Sequence, residues 1–455
     1  MAAQVREADV IVVGLGVGGE EVAGRLAQAG LTVVGVENTL VGGECPYWGC
    51  IPSKMMIRAA DALAEARRIP GLAGASSVQP DWAPVARRIR DEATDSWDDK
   101  VAVDRFTGRG GHFVRGTATL TGPGRVRVDS QEFTASRGVV IATGTSAIIP
   151  PIDGLAGTPY WTNREAIEAT EVPDTLIVLG GGAIGVELSQ AMARFGASVT
   201  VIEGSPRLLA AEEPESSTTA HEALTRDGVQ IKTGVRAQHV THDGSGFSVT
   251  LSDGAVVTGE RLLIATGRAA RLHGLGLDTI GLDPDARFLS TDARMRAAAD
   301  VWAVGDVTGN GAFTHMAMYE ADIAVRDILG QGGPDADYRA RPRVTFTDPE
   351  IGAVGPTEAQ AREAGADVRV GYVPLSHTTR GFIHGPGNEG FIKLVADRER
   401  GVLIGGTTAG PAGGEMVGAL SVAVHAEVPV STLLSTIWAY PTFHRGFGDA
   451  LRALA

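Results

Sequence analysis

Two stretches of this chain share one pattern of apolar and polar positions. Residues 9–38 (DVIVVGLGVGGEEVAGRLAQAGLTVVGVEN) and 175–204 (TLIVLGGGAIGVELSQAMARFGASVTVIEG) each open with a β-branched apolar run. Each then meets a glycine-rich turn, continues as a helical stretch ending at Gly, and closes with a second apolar run ending in Glu. The offset is 166 residues throughout, from Gly14 to Gly180 and from Glu37 to Glu203. A short apolar run bounded by turn signals reads as a strand buried on both faces, so each stretch predicts a strand–helix–strand unit. Further apolar strands are predicted at Val139–Gly144 (VVIATG), Leu262–Gly267 (LLIATG) and Val301–Asp306 (VWAVGD). After about residue 336 the pattern changes to strands such as Gly390–Ala396 and helices such as Val417–His425, an α+β region without such a turn. The stretch 330–338 (GQGGPDADY) reads as the linker before it, and 76–84 as irregular.

The glycines of the two turns fit one task. In G-x-G-x-x-G, the first Gly (Gly14, Gly180) permits the tight turn. The second (Gly16, Gly182) lets backbone approach a pyrophosphate, and the third (Gly19, Gly185) lets helix pack on strand. The helix N-terminus offers free N–H groups and the positive end of its dipole to the phosphates. Glu37 and Glu203 stand where a carboxylate accepts hydrogen bonds from a ribose. One such turn is weak evidence; two in the same context, with Glu at the same distance, predict two dinucleotide sites.

Composition sets the bounds. A chain of 455 residues exceeds one ordinary core, and 44% apolar with 21% charged residues is ordinary for a globular protein. A net charge of −14 disfavours nucleic acid or an anionic membrane as partner. There is no long apolar run of the kind that spans a bilayer and no secretory pattern at the start, so the chain reads as cytoplasmic. Only two cysteines occur, Cys45 and Cys50. In a reducing compartment a structural bridge is not expected, so a pair this close is either chemical or incidental. The pair precedes a predicted helix, Ser53–Leu63, whose N-terminus would favour thiolates.

The segment 42–54, GGECPYWGCIPSK, resembles the active-disulfide motif of the pyridine nucleotide–disulfide oxidoreductases, the family of dihydrolipoamide dehydrogenase, glutathione reductase and mercuric reductase. The resemblance runs along the chain through both fingerprints, both ATG segments, Gly305–Asp306, FTDPEIGAVG at 346–355 and GPAGGEM at 410–416. It implies an α/β fold: two Rossmann-like domains for FAD (1–150 and 265–335) and NAD(P) (151–264), plus a C-terminal α+β dimerisation domain (336–455). It implies a homodimer in which that last domain completes the partner's active site. It also implies that Cys45 and Cys50 form a redox-active disulfide, with Cys50 facing the flavin and Cys45 exchanging with substrate. Lys54 would lie near the flavin and pair with Glu187. Cofactor contacts implied are Gly14, Gly16, Gly18, Gly19, Glu37, Gly43, Glu44, Lys54, Gly116, Thr117, Ala118, Thr143, Gly144, Gly305, Asp306, Met316 and Ala317 for the flavin nucleotide. For the nicotinamide nucleotide they are Gly180, Gly182, Ile184, Glu203, Gly267 and Arg268. Glu203 suits two ribose hydroxyls and opposes a 2′-phosphate, so NADH is expected over NADPH, with Arg207 the residue that could alter this. No metal site is expected.

The chain departs from the family at its end. A family motif of the form HxHPTxxE supplies an acid–base His and its orienting Glu; here the segment 438–445 reads WAYPTFHR. Tyr440 holds the His position and Arg445 the Glu position, with His444 beside it. A histidine of pKa near ~6.5 shuttles protons at neutral pH, whereas a tyrosine near ~10 is a reluctant base. Tyr440 thus reads as pocket wall before proton donor. Glu44 and the aromatic pair Tyr47–Trp48 also differ from the family's usual residues. The acceptor is accordingly a disulfide or other thiol-reactive small molecule. One alternative is a quinone or metal-ion reductase in which the disulfide is dispensable; another is a non-catalytic redox- or nucleotide-responsive flavoprotein.

Overall fold

The structure, a computed structural model, describes residues 6–454. These fall into two compact units. The first comprises the chain up to Pro52, Arg87–Ile148 and Arg268–Tyr338; the second comprises Ser53–Ala86, Ile149–Gly267 and the chain from Arg339.

The first unit is organised on an eight-stranded sheet. Strand Glu7–Val13 lies parallel to both Val33–Glu37 and Gln131–Ile141. Val301–Ala303 extends the sheet on one side and His112–Arg115 on the other. Alternate residues of the first strand serve opposite faces. Val10 and Val12 pack with Val22 and Leu26 of helix Val17–Gln28 and with Ala321 and Ala324 of helix Thr314–Ile328. Ile11 and Val13 pack with Val126, Phe133 and Leu277. Both faces are covered, which is why the strand is continuously apolar rather than alternating. Each such Val or Ile contributes roughly 1.5–3 kcal/mol by leaving water. Gly30, at φ +90°, lets the chain leave the crossover helix and enter the next strand.

The second unit repeats the parallel motif with four strands, in the order Gln230–Thr233, Ser198–Glu203, Thr175–Leu179, Arg261–Ile264. Helix Ala183–Arg194 makes the crossover. A three-stranded antiparallel sheet, Ala237–His242, Phe247–Leu251 and Val256–Gly259, shares its core through Ile177, Val240 and Phe247. The last third of the chain forms a five-stranded antiparallel sheet, Pro342–Thr345, Glu350–Val354, Val402–Gly410, Phe391–Asp397 and Val368–Pro374. Leu394 and Leu403 of that sheet pack with Met416 and Leu420 of helix Gly413–His425 and with Phe447 of helix Arg445–Arg452.

Two boundaries differ from expectation for a local reason. The helix expected from Val417 starts at Gly413. A Cβ on Gly413 would lie 2.2 Å from the Glu350 carbonyl oxygen, so a glycine that reads as loop is what lets this helix start against the sheet. The helix expected at Ser53–Leu63 runs from Cys50 to Arg68. Pro52 falls in its first turn, where a missing N–H costs nothing. Among the described residues no helix is long and apolar enough to cross a membrane.

Candidate redox site

In the first unit the fingerprint turn, an ATG segment and the cysteine segment meet. Gly14 has φ +92°, and a Cβ there would lie 2.4 Å from the Ala142 carbonyl oxygen. Gly19 is equally confined, 2.0 Å from the Gly14 carbonyl. Gly18 faces Ala317 of the Thr314–Ile328 helix. Gly42 N–H donates to the Leu15 carbonyl at 2.7 Å, and a Cβ on Gly43 would come within 2.8 Å of Gly16 Cα. The glycine pair before Cys45 is therefore braced against the fingerprint turn itself. Glu37 is pinned by the Leu15 and Thr39 N–H groups, each at 2.8 Å, and Gly116 N–H donates to its backbone carbonyl at 3.0 Å, bringing the segment Gly116–Ala118 beside it. Asp306 accepts from the Thr145 hydroxyl at 2.7 Å, and Arg268 donates to that same hydroxyl. Gly305 N–H donates to Glu320, whose carboxyl burial pushes its pKa up against the pull of its hydrogen bonds.

These residues fit a flavin dinucleotide. Helix Val17–Gln28 has no side-chain cap on its N-terminal N–H groups, leaving them to a phosphate. The Thr143 hydroxyl, next to Gly144, is buried without a hydrogen-bond partner, an arrangement that a bound polar group would satisfy.

The cysteines sit at the edge of this cradle. Glu44–Tyr47 forms one helical turn, and Cys50 is the first residue of the long helix Cys50–Arg68. Both are thiols, Cys45 half-buried and Cys50 exposed. The hydrogen bond to Cys50 and burial raise the Cys45 pKa well above the usual thiol range, against a lowering hydrogen bond from Thr314. The helix N-terminus favours charge on Cys50. Cys50 Sγ lies 3.4 Å from Thr314 Oγ1. Tyr47 and Trp48 turn inward, with 6% and 9% exposure, and contact each other at 5.8 Å between ring centroids. They pack the interior rather than shape an open acceptor pocket; burial pushes the Tyr47 phenol up to about 12. Glu44, expected among the flavin contacts, is engaged by Arg271 at 3.3 Å and Arg268 at 3.8 Å.

The second unit holds the second turn. Gly180 has φ +114° and lies against the Ala265 carbonyl, as Gly14 does against Ala142. This places the segment Ala265–Gly267 beside the turn. Glu203 accepts from the Gly181 and Ser205 N–H groups, each at 2.6 Å. Helix Ala183–Arg194 has no side-chain cap; Gly182 faces open space, and Ile184 is partly exposed. A second dinucleotide fits here. Arg207 is committed elsewhere: it donates to the carbonyls of Leu209, Ala210 and Glu212 and to the Ser217 hydroxyl.

Helix residues Lys54, Asp61 and Arg68, themselves part of the second unit, repeat every seventh position and meet a matching series within it. Lys54 Nζ donates to Glu187 Oε2 at 2.8 Å, while Glu187 Oε1 accepts from Phe346 N–H. Arg194, 3% exposed, reaches Asp61, Asp227 and Asp348 at 2.7, 3.0 and 2.7 Å. Arg68 joins Asp348 at 2.6 Å. Sequence reading found Lys54 and Glu187 and missed Asp61, Arg194 and Asp348; the heptad spacing was the available signal.

The C-terminal segment lies in the same unit. Tyr440 is 70% exposed, so within one chain it walls no pocket. The His444 ring stands edge-on to Phe447 at 5.5 Å, and Arg445 reaches Asp449 at 3.3 Å.

Comparison with known proteins agrees with this geometry. The family described as pyridine nucleotide-disulphide oxidoreductase matches residues 8–321, and its dimerisation domain matches 341–451. A dihydrolipoyl dehydrogenase of Thermus scotoductus is 34% identical, covering 98% of this chain and 97% of the relative. A mercuric reductase of Staphylococcus aureus is 31% identical, covering 96% of this chain and 81% of the relative. Among solved structures, the HOCl-induced flavoprotein disulfide reductase RclA of Escherichia coli superposes with a TM-score of 0.85 at 26% identity, over 98% of this chain and 99% of that one. A Cu(II) complex of RclA gives 0.86 at the same identity and coverage.

Proposed function

The chain belongs to the pyridine nucleotide–disulphide oxidoreductases, FAD-dependent enzymes that use a nicotinamide nucleotide, and we propose that it passes electrons from NADH through FAD to the Cys45–Cys50 pair and on to a disulfide or other thiol-reactive small molecule. The observation that carries this reading is the thiol pair itself: two free cysteines five positions apart, one at a helix N-terminus, in a segment braced against a fingerprint turn. When bound, the flavin and nicotinamide supply the hydride and electron transfer. The chain supplies position and charge. Gly14, Gly16 and Gly19 present the helix N–H groups to phosphate, and Glu37 and Glu203 take the two riboses. Lys54, held by Glu187, places a cation in the second turn of the helix that Cys50 begins. Cys50 holds the thiolate and Cys45 the proton until an acceptor arrives, when the pair reacts by thiol–disulfide exchange.

Three finer assignments belong to the same reading. NADH is favoured because Glu203 keeps its carboxylate at the ribose position while the described donor contacts of Arg207 are to carbonyls of its own loop and to Ser217 of the following helix. The domain limits are 1–150 with 265–335 for FAD, 151–264 for NADH and 336–455 for the dimer contact. A homodimer is supported by the dimerisation-domain match and by Phe382 and Ile437, which are 79% and 97% exposed in the single chain. A cytoplasmic setting would keep the pair reduced between turnovers.

A second reading sends the electrons to a metal ion. It is favoured by the mercuric reductase relatives, by the Cu(II) complex of RclA, and by Tyr440 at the family's His position. An acceptor screen separates the two, with NADH and NADPH supplied in turn to wild type, Cys45→Ser and Cys50→Ser. The primary reading expects NADH-driven reduction of low-molecular-weight disulfides that either substitution abolishes. Metal or quinone reduction surviving Cys45→Ser, with no disulfide turnover in wild type, would replace it with the second.

A further inference from the structure

The two cysteines are held by elements of very different length. Cys50 opens a helix of 19 residues, whereas the turn that carries Cys45, Glu44–Tyr47, has four. A single turn has too few internal hydrogen bonds to hold itself, so contacts from outside must fix its place. Three side chains from elsewhere in the same unit grip the backbone on either side of Cys45. Trp97 Nε1 donates to the Tyr47 carbonyl at 3.3 Å, at the end of the turn where helical carbonyls lack internal partners. Ahead of the turn, Asp99 Oδ2 accepts from Val41 N–H at 2.7 Å, with both residues buried. Arg115 donates to Asp99 and to the Thr39 carbonyl.

The gripping segment holds a conformation that is unfavourable by itself. Asp95, Ser96 and Trp97 have φ of +48°, +56° and +58°, three successive left-handed residues without a glycine. L-residues adopt this region at a cost, and only where the surroundings impose it. Asp99 stands just before helix Lys100–Gly108, where an aspartate ordinarily caps the first N–H groups. Its side chain makes no cap bond and serves Val41 instead.

We propose that Trp97 is a positioning residue of the redox centre: through the Tyr47 carbonyl it holds Cys45 within closing reach of Cys50, and so sets how strongly the pair stays closed as a disulfide. Asp99 anchors the other end of the same segment. The proposal rests on the dithiol reading above. Exchange of the pair with glutathione disulfide forms the Cys45–Cys50 bond and breaks the bond of glutathione disulfide. The pair loses two electrons and two protons, and the two departing glutathione thiols carry them. The equilibrium constant of this exchange reports the effective concentration of one cysteine at the other. A turn released at Tyr47 spreads Cys45 over more positions, lowers that concentration and shifts the pair toward the dithiol.

The test compares wild-type holoenzyme with Trp97→Phe and Trp82→Phe. Each is equilibrated without oxygen at pH 7 in glutathione buffers of graded thiol-to-disulfide ratio. Free thiols are trapped with iodoacetamide, and the Cys45–Cys50 bond is read by peptide mapping. Trp97→Phe keeps an aromatic ring and removes the N–H. Its equilibrium constant for forming the disulfide should fall about fivefold, the scale of one neutral hydrogen bond, with flavin retained. Trp82→Phe removes a similar N–H, one that donates to the Ala169 carbonyl at 2.9 Å within the second unit. It should stay within about twofold of wild type, since that bond does not touch the cysteine segment. A Trp97→Phe protein that titrates with wild type, or a Trp82→Phe protein shifted as far as Trp97→Phe, would overturn the proposal. If Trp97→Phe fails to retain flavin, Trp97→Met carries the same expectation and the same refutation. Failure of the underlying reading looks different: wild type itself would form no Cys45–Cys50 bond in any of the buffers.

Discussion

Lys54 and Glu187 show what one pair of side chains contributes. Glu187 is 6% exposed and has two partners, Lys54 Nζ at one oxygen and Phe346 N–H at the other. Glu187→Gln retains an oxygen for Phe346 and loses the charge facing Lys54, so stability and charge effects separate. We expect NADH-driven flavin reduction in Glu187→Gln to slow by about tenfold, the scale of a lost charge-assisted hydrogen bond, with a circular dichroism melt close to wild type. A melt that collapses, with the flavin reduced at the normal rate in the surviving protein, would make the pair structural only. At this scale the sequence was informative where a motif fixed chemistry and position together: Gly14, Gly180 and Glu203 are where strand–turn–helix geometry demands them. It was silent on Thr314. Nothing in FTHMAMYE marks a threonine for contact with Cys50, 264 positions away.

Between elements, the seven-residue repeat Lys54, Asp61, Arg68 links the Cys50–Arg68 helix to Glu187, Arg194 and Asp348. Seven residues are close to two helical turns, so all three face the same way. Asp61 is the strained member. Burial pushes its pKa up to about 6 despite the Arg194 guanidinium. Its folded pKa lies above the unfolded ~3.9, so the folded state binds the extra proton. The stability this group contributes is complete below about pH 4 and is lost as pH rises through about 6. The side chain is one-third exposed, so we discount the loss for solvent screening to about 1 kcal/mol, ~2 °C in Tm. Asp61→Asn keeps an oxygen for Arg194 and cannot ionise. Its Tm should therefore gain on wild type by that amount between pH 4 and 7. Parallel Tm curves for the two proteins across that range would show that Asp61 is not held up in this way.

For the whole molecule, the exposed apolar side chains of the last third set the expectation. Ile437, Phe382 and Tyr440 lie open in a single chain, at 97%, 79% and 70%, within or beside the segment matching the dimerisation domain. Burying one such apolar side chain contributes roughly 1.5–3 kcal/mol, and a charge in its place reverses the sign. Ile437→Asp should shift the sedimentation coefficient from dimer to monomer and cut disulfide turnover at least tenfold, while bound flavin persists. An Ile437→Asp protein that sediments as wild type would remove this residue from the dimer contact.

The sequence by itself determined the repeated strand–helix–strand units, the two dinucleotide turns and the place of the thiol pair. Each of these is local: a glycine at fixed spacing, an apolar run, a motif of thirteen residues. It also exposed the departure at Tyr440, because the surrounding Pro441–Thr442 keeps the alignment. The tertiary structure decided what depends on distant residues meeting. It committed Arg207 to its own loop and to Ser217 of the next helix, turned Tyr47 and Trp48 inward, engaged Glu44 with Arg268 and Arg271, and set Thr314 against the Cys50 sulfur. Side-chain hydrogen bonds act over about 3 Å, and a one-dimensional chain carries no such distance between residues hundreds of positions apart.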